Sequence, residues 1–158
     1  MSKDYLIELF GEKDLDEVVK INWSCLPENY DNSFFLNLFA HYPKTFVVAK
    51  HAGKVVGYIM CRVETGFSEL KRFSLTRKGH IVSVAVLQEY RNQGVASNLL
   101  SEVLKGFKEY QVPEIFLEVR ESNKIAINLY QKFDFTTTRS IKSYYRDGET
   151  ALVMTKPM

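Results

Sequence analysis

Residues 80–97 have the sequence HIVSVAVLQEYRNQGVAS. The segment 80–86 is apolar and rich in β-branched residues, which is typical of a buried strand. After a polar connection, the apolar residues of Val95–Tyr110 recur with the spacing of one face of an amphipathic helix. The sequence therefore predicts a strand, a turn and a helix in succession, with His80 at the start of the strand.

The turn in this segment has the composition of an anion site. A helix N-terminus presents backbone N–H groups at the positive end of the helix dipole. Gly94 lets a ligand approach the backbone, Ala96 keeps the next turn small, and Arg91 adds a full positive charge. The three-glycine Rossmann pattern and the pattern GxxxxGK[ST] do not occur, which disfavours a dinucleotide-binding fold and a P-loop nucleotide hydrolase. We expect a different ligand with a pyrophosphate group.

The composition is that of a globular protein. The chain has 158 residues, of which 46% are hydrophobic and 25% charged, and it predicts a single domain over residues 1–158. Lys and Arg number 21 and Asp and Glu 19, a formal net charge of +2. This charge disfavours an extended nucleic-acid surface, so we expect no DNA partner.

The cysteines and the start of the chain bear on the compartment. Cys25 and Cys61 have no disulfide-framework or metal-ligand spacing, so we expect no metal and a reducing environment. The start carries Lys3, Asp4 and Glu8 without an apolar segment after them, which predicts no signal peptide. Because no apolar stretch reaches the ~20 residues of a membrane span, we expect a cytoplasmic protein without a membrane partner.

The rest of the chain alternates between strand and helix patterns. Strands are predicted at Leu6–Phe10, Thr45–Lys50, Lys54–Val63, Glu114–Val119, Thr136–Tyr145 and Glu149–Thr155, and helices at Asp14–Cys25, Phe34–His41 and Ile125–Phe133. Ser33 is the predicted cap of the second helix, Ser122 or Asn123 that of the last, and Thr65–Gly79 is a predicted basic loop. Hairpins give antiparallel neighbours and the two strand–helix–strand crossovers allow parallel ones, so we expect an α/β fold with a mixed sheet.

Four segments carry a resemblance to the GNAT acetyltransferases. The pattern R-x-x-G-x-A at Arg91–Ala96 resembles their acetyl-CoA site, and LEVRESN at 117–123, with Ala126 and Leu129-Tyr130, resembles the second half of the RimI-like signature. The segments LPENY at 26–30 and YYRDGETA at 144–151 resemble the substrate loop and a hairpin of N-terminal acetyltransferase catalytic subunits of the NatA type. Thr150 replaces a frequent Asp, which leaves substrate preference open, and Ala96 replaces the commoner second Gly. The chain thus resembles an archaeal-type protein N-terminal acetyltransferase.

This resemblance implies a fold and a reaction. The fold is the GNAT fold, a mixed twisted sheet of about seven strands with four helices on both faces, in which the pantetheine arm inserts between two splayed parallel strands, here His80–Val86 and Glu114–Val119. The cosubstrate is acetyl-CoA and the acceptor is the α-amino group of a protein N-terminus, with a ribosome or an auxiliary subunit as candidate partner. The alternatives are a GNAT enzyme that acetylates lysine side chains or a small-molecule amine, and a non-catalytic module that senses acetyl-CoA.

The resemblance also assigns residues. The cofactor set consists of main-chain groups on a strand, a phosphate-binding turn and two residues of the last helix: Val84, Ala85, Val86, Arg91, Asn92, Gln93, Gly94, Val95, Ala96, Ser97, Asn123 and Tyr130. The catalytic set is Glu118, His80 and Tyr130, and the peptide-binding set is Leu26, Pro27, Glu28, Tyr30, Tyr144 and Tyr145.

Each assignment has a structural alternative. Glu118 lies in an apolar strand and is our first choice of general base, but it could face solvent or pair with an Arg. His80 has a suitable ordinary pKa of about 6.5, although a lone histidine is often structural. Tyr130 could be a core residue, and Tyr144 and Tyr145 could pack across a hairpin. The charges of Lys71–Lys78 could be solvated, or could meet the CoA 3′-phosphate, ribosomal RNA or an auxiliary subunit.

Overall fold

The computed structural model describes residues 4–158, so Lys3 of the charged start lies outside the described residues. This part of the chain contains the strands β1 (Leu6–Leu9), β2 (Phe46–His51), β3 (Lys54–Phe67), β4 (Leu75–Val86), β5 (Glu114–Arg120), β6 (Thr136–Ile141) and β7 (Ala151–Pro157), and the helices α1 (Leu15–Cys25), α2 (Asn32–His41), α3 (Val95–Glu109) and α4 (Lys124–Lys132). The predicted order of elements is confirmed.

The seven strands form one mixed sheet in the order β1-β2-β3-β4-β5-β7-β6. Strands β4 and β5 pair in parallel, with Lys78–His80 opposite Glu114–Phe116. The pairs β1–β2, β2–β3, β5–β7 and β6–β7 are antiparallel. The predicted α/β class is therefore confirmed.

The predicted loop at Thr65–Gly79 is wrong over most of its length. Strand β3 continues to Phe67 and β4 begins at Leu75, so that His80 lies inside β4 rather than at its start. Side chains close the short turn between the strands: the Glu114 carboxylate accepts hydrogen bonds from Ser68 Oγ (2.5 Å) and from the Glu69 amide (2.7 Å). These partners are distant in sequence, which is why a polar stretch was predicted as an open loop.

The predicted N-cap is wrong for helix α2 and correct for helix α4. The predicted cap Ser33 is wrong, because α2 begins at Asn32 with Asp31 in the N-cap position and the Asp31 carbonyl accepts a hydrogen bond from the Phe34 amide (2.9 Å). Of the two predicted caps of α4, Asn123 is the one used, since its Oδ1 accepts from the Ala126 amide (3.2 Å).

The last hairpin is shorter than predicted. Strand β6 ends at Ile141 and β7 starts at Ala151, where these two residues pair, and residues 142–150 form a loop. Arg120 holds this loop, because its guanidinium donates to Asp147 (2.9 Å) and Glu149 (3.0 Å). The main chain keeps a hydrogen bond from the Tyr145 amide to the Glu149 carbonyl (3.3 Å), but the strands themselves end at Ile141 and Ala151.

The chain divides into two compact units, of which the first comprises the chain up to Arg62 together with Ile81–Tyr110. The rings of Phe10 and Phe46 stack in its core at 4.0 Å. Helix α3 passes directly against the backbone at Lys44, since a Cβ on Gly106 would lie 2.2 Å from the Lys44 carbonyl oxygen. Only glycine fits this close approach.

The second unit comprises Val63–His80 and Gln111–Met158. Its β5 is buried from Glu114 to Leu117 and at Val119, as a central strand requires, whereas Glu118 is only partly covered. The ring of Tyr130 on α4 packs edge-on against Phe135 at 5.8 Å. Within residues 4–158, no helix combines the length and the apolar character needed to cross a membrane.

Candidate active site

The predicted anion site is formed by the turn between β4 and α3, in the first unit. Gly94 is the N-cap of α3 and has a left-handed backbone (φ 81°), and Asn92 is left-handed as well (φ 61°). The first bond of the helix runs from the Asn98 amide to the Gly94 carbonyl (3.0 Å). The amides of Val95, Ala96 and Ser97 precede it and therefore point out of the helix end. The turn thus presents backbone donors where a phosphate can accept them.

Side chains brace this turn from two sides. Arg91 folds back, so that its Nε donates to the Val86 carbonyl at the end of β4 (2.9 Å). The hydroxyl of Tyr5 donates to the Gln93 carbonyl (3.2 Å), and Asn98 Nδ2 donates to the same hydroxyl (2.6 Å). The Arg91 contact ties the turn to the end of β4, and the Tyr5 contact fixes the main chain at Gln93, next to Gly94. The protein itself therefore holds the turn in its shape.

The predicted substrate loop, Leu26–Tyr30, also belongs to the first unit and is held by Asn22. The Asn22 side chain is fully buried; its Nδ2 donates to the Glu28 carbonyl (3.0 Å) and its Oδ1 accepts from the Tyr30 amide (3.4 Å). The ring of Tyr30 stacks on Phe34 at 4.7 Å. Asn29 Nδ2 adds hydrogen bonds to the carbonyls of Asn22 (3.1 Å) and Leu26 (3.0 Å), so two side-chain amides set the path of the loop main chain.

Asn22 in turn contacts a buried hydroxyl pair. Its Nδ2 donates to the hydroxyl of Tyr58 (3.1 Å), which shares a hydrogen bond with Ser83 Oγ on β4 (2.7 Å). Burial raises the pKa of Tyr58 to about 12, although its two hydrogen bonds act in the opposite direction. The phenol remains neutral at physiological pH and serves as a relay of hydrogen bonds within the core.

In the second unit, the structure brings His80 and Glu118 together. His80 Nε2 lies 2.8 Å from Glu118 Oε2, and His80 Nδ1 lies 3.1 Å from Glu64 Oε2 on β3. The imidazole stacks on Phe116 at 4.3 Å with nearly parallel rings. The exposed fractions are 11% for the His80 side chain, 15% for Glu118 and 36% for Glu64. Three neighbouring strands thus place one imidazole between two carboxylates.

These carboxylates change the protonation of the ring. Burial by itself lowers the pKa of His80, because it removes water from the charged form. The hydrogen bonds and charges of Glu118 and Glu64 together outweigh burial, so the pKa of His80 lies above its ordinary value. The two carboxylates beside the ring thus favour its protonated form.

The other predicted residues of the second unit lie on helix α4 and in the loop 142–150. Tyr130 is buried on α4 and packs on Phe135, as in the core alternative, and Asn123 caps the same helix. Tyr144 and Tyr145 lie in the loop 142–150 with their rings edge to face at 5.0 Å. The Arg120 guanidinium lies 4.1 Å from the Tyr145 ring centre, so the loop is tied to the end of β5.

The sequence matches the model of the acetyltransferase (GNAT) family over residues 15–135. This chain therefore belongs to the GNAT acetyltransferase family, as the resemblance predicted. It is 48% identical over 157 residues to an N-alpha-acetyltransferase of Sulfolobus acidocaldarius, a match that covers 98% of this chain and 94% of that protein.

Solved structures agree with this assignment. Ard1 from Thermoplasma volcanium superimposes with a TM-score of 0.83 at 31% identity, covering 98% of this chain and 97% of that one. Naa50 of Arabidopsis thaliana, in complex with the bisubstrate analogue CoA-Ac-MVNAL, gives a TM-score of 0.83 at 28% identity and covers 98% and 99%. The predicted GNAT fold is confirmed.

Sequence reasoning missed two residues of these clusters. Asn22 interrupts the apolar stripe of α1 at Leu15, Val18 and Val19, and a polar residue at that spacing is the signal that could have found it. Glu64 follows the predicted end of β3 directly, and nothing in its local sequence indicates a contact with His80. Only the pairing of distant strands brings it there.

Proposed function

We propose that this protein transfers the acetyl group of acetyl-CoA to the α-amino group of peptide and protein N-termini, with residues 1–158 acting as one acetyltransferase domain. The observation that carries the proposal is the contact of Glu118 with His80 at 2.8 Å. This contact brings together a carboxylate and an imidazole, two side-chain types that serve as general bases toward an amine. The membership in the GNAT family supplies the acyl donor.

Acetyl-CoA binding is assigned to the first unit. The main chain of Val84–Val86 would hydrogen-bond the pantetheine arm, and the backbone amides of residues 92–97 would hold the pyrophosphate. Gly94 supports this assignment, because its left-handed backbone (φ 81°) is one that glycine adopts without strain and it adds no side chain at the helix start. Arg91 contributes its charge from a side chain already fixed on Val86. Asn123 and Tyr130 complete the proposed set.

The acceptor amine must lose a proton before it attacks. A peptide α-ammonium group has a pKa of about 7.7–8.0, so a moderate base suffices. Glu118 is the base in this proposal, because both ring nitrogens of His80 already face carboxylates. The proton passes to Glu118 directly or through a water molecule. The amine nitrogen then forms the new C–N bond, and the C–S bond breaks with its electron pair on the sulfur.

The leaving thiolate takes up a proton. The Tyr130 hydroxyl is the proposed donor, from a helix in the same unit as Glu118 and His80. A CoA thiol ionises near pH 8–9, roughly like a free cysteine, so it leaves readily and this help is small. Direct transfer needs no acyl-enzyme, and neither Cys25 nor Cys61 stands in a sequence pattern typical of a nucleophile.

Peptide recognition is assigned to two loops. In the first unit the loop Leu26–Tyr30 offers Leu26, Pro27, Glu28 and Tyr30, and in the second unit the loop 142–150 offers Tyr144 and Tyr145. Support comes from their fixed shapes, which Asn22 and Arg120 impose. Ordered loops bind a peptide without the entropic cost of first being ordered.

The proposed partner and cellular compartment follow from the proposed substrate. Protein N-termini emerge from ribosomes, so a ribosome or an auxiliary subunit is a reasonable partner and the cytoplasm the proposed compartment. Both cysteines are free thiols, which supports a reducing compartment.

A peptide assay tests the function. Peptides that start with Ser, Ala, Thr or Met and contain one internal lysine are incubated with acetyl-CoA and analysed by tandem mass spectrometry. We expect one added acetyl group on the α-amine of peptides with a free N-terminus and a blocked lysine. Acetylation that persists when the α-amine is blocked and disappears when the lysine is blocked would assign the enzyme to lysine side chains instead.

A further inference from the structure

Glu64 has a place in the proposed active site that neither its sequence nor its family motif assigns. It lies near the end of β3, and its Oε2 is 3.1 Å from Nδ1 of His80. Glu118 on β5 approaches the opposite ring nitrogen at 2.8 Å. Phe116 covers one face of the ring. The imidazole is thus fixed at both nitrogens and on one face.

Two carboxylates on one imidazole leave a single good protonation state. A neutral imidazole donates from one nitrogen and accepts at the other, so one carboxylate would face a lone pair. The imidazolium donates from both nitrogens, and both contacts then become charge-assisted hydrogen bonds. The geometry alone therefore favours a proton on each nitrogen of His80.

The surrounding charges are consistent with this state. Besides Glu64 and Glu118, the buried Lys78 ammonium lies on the ring of Phe116 at 4.4 Å, and Glu69 pairs with Lys78 (3.3 Å). Arg139 on β6 binds Glu69 through two hydrogen bonds of 2.8 and 3.0 Å, and its charge interacts with Glu118. Glu69 offsets the two nearby cations, so the two carboxylates that touch the ring dominate its protonation.

We propose that Glu64 is a positioning residue of the acetyl transfer. It binds Nδ1–H, orients the ring and keeps Nε2–H directed at Glu118 during turnover. Glu118 then uses its other carboxylate oxygen to take the proton of the amine. This inference rests on the proposed role of Glu118 as the general base, but its main readout does not depend on turnover.

The test is an NMR titration of the His80 ring in the protein labelled with 15N-histidine. In the wild type we expect both ring nitrogens to be protonated at pH 6.5 and to titrate above the ordinary value of about 6.5. Glu64→Gln should lower the pKa of His80 by about one unit or more, because a neutral amide replaces an adjacent charge. The matched control is Glu102→Gln, which removes a carboxylate that pairs with the surface Lys105 at 3.0 Å and should leave the titration unchanged.

Kinetics give the second readout. Glu64→Gln should lower kcat about tenfold and leave the KM for acetyl-CoA unchanged, and Glu64→Asp, which keeps the charge, should recover part of the loss. A wild-type His80 that titrates at or below 6.5 would overturn the inference even if no variant folds, as would equal titrations in Glu64→Gln and Glu102→Gln. A shifted titration in a protein that acetylates no N-terminus would instead overturn the proposed function.

Discussion

The turn before α3 and the cluster around His80 use different chemical groups, main-chain amides in the first and ionisable side chains in the second. The turn exposes main-chain amides, and its side chains, Arg91 and Tyr5, act on backbone carbonyls. The cluster is made of side chains that meet across three strands. A polyanion of fixed shape is matched by fixed dipoles, whereas a proton in transit requires groups that change charge. Substitutions should therefore act through conformation in the first region and through charge in the second.

The largest effect should come from the charge of Glu118. Glu118→Gln keeps the size of the side chain and an oxygen that can accept from His80, but it cannot take up a proton. We expect kcat to fall by about 100-fold or more, since general bases contribute that much, with the KM for acetyl-CoA unchanged. Steady-state kinetics on the best peptide substrate measures both. If kcat stays within about twofold of the wild type, as expected for Glu102→Gln, Glu118 takes no part in proton transfer.

The next effect should come from the conformation of Gly94. An alanine in the left-handed region costs about 1–2 kcal/mol. The free variant avoids this cost by relaxing the turn, and acetyl-CoA binding must then restore it, which corresponds to a rise of roughly 5- to 30-fold in the KM for acetyl-CoA. Gly94→Ala should leave kcat at saturating acetyl-CoA nearly unchanged.

Gly53 provides the matched control for this variant. It has almost the same backbone (φ 78°) in the β2–β3 turn, and no atom within 4 Å would meet its Cβ. Gly53→Ala should lower thermal stability by a similar amount without affecting the KM for acetyl-CoA. Equal KM values for both variants would mean that the turn at Gly94 does not bind the cosubstrate.

The smallest effect concerns the pH dependence of stability. The folded state raises the pKa of His80, so the cluster contributes stability below pH 6.5, and this contribution is lost as the pH rises through the folded pKa. Between low and high pH, the difference in free energy of unfolding between wild type and His80→Gln should shrink by about 1.4 kcal/mol for each unit by which folding raises the pKa of His80. Urea unfolding between pH 6 and 9 measures it.

A variant without a change in titratable groups provides the reference for the pH series. Ser33→Ala, at an exposed position of α2, removes no titratable group and should give a difference in unfolding free energy that does not change with pH. A constant difference for His80→Gln as well would contradict a proton held between the two carboxylates.

Elements with a strong local pattern could be predicted from sequence. Helix α3 was predicted from its apolar stripe and begins at the predicted Val95, where Gly94 ends the turn. The boundaries of β3 and β4 could not be predicted, because the turn between these strands is held by hydrogen bonds of Ser68 and Glu69 to Glu114, a residue far along the chain. Local propensity contains no information about such partners.

The candidate site divides in the same way. The resemblance assigned His80 and Glu118 to one catalytic set without a direct contact, and the structure places them 2.8 Å apart. The contact of Glu64 with His80 depends on the register of three strands and on rotamers, which no short motif encodes. The role of Asn22 depends on burial of a helix face against a loop that follows it, and a polar residue in the apolar stripe was its only local trace.

The hydrogen bonds of Asn22 to the loop Leu26–Tyr30 also bear on which substitutions this loop can accept. Its contacts with Glu28 and Tyr30 are made to a carbonyl oxygen and an amide nitrogen, which every residue except proline supplies. Mutations that exchange the side chains at these positions therefore keep those two hydrogen bonds. Under the proposed function, such exchanges alter the side chains offered to a peptide and leave the main-chain path of the loop in place.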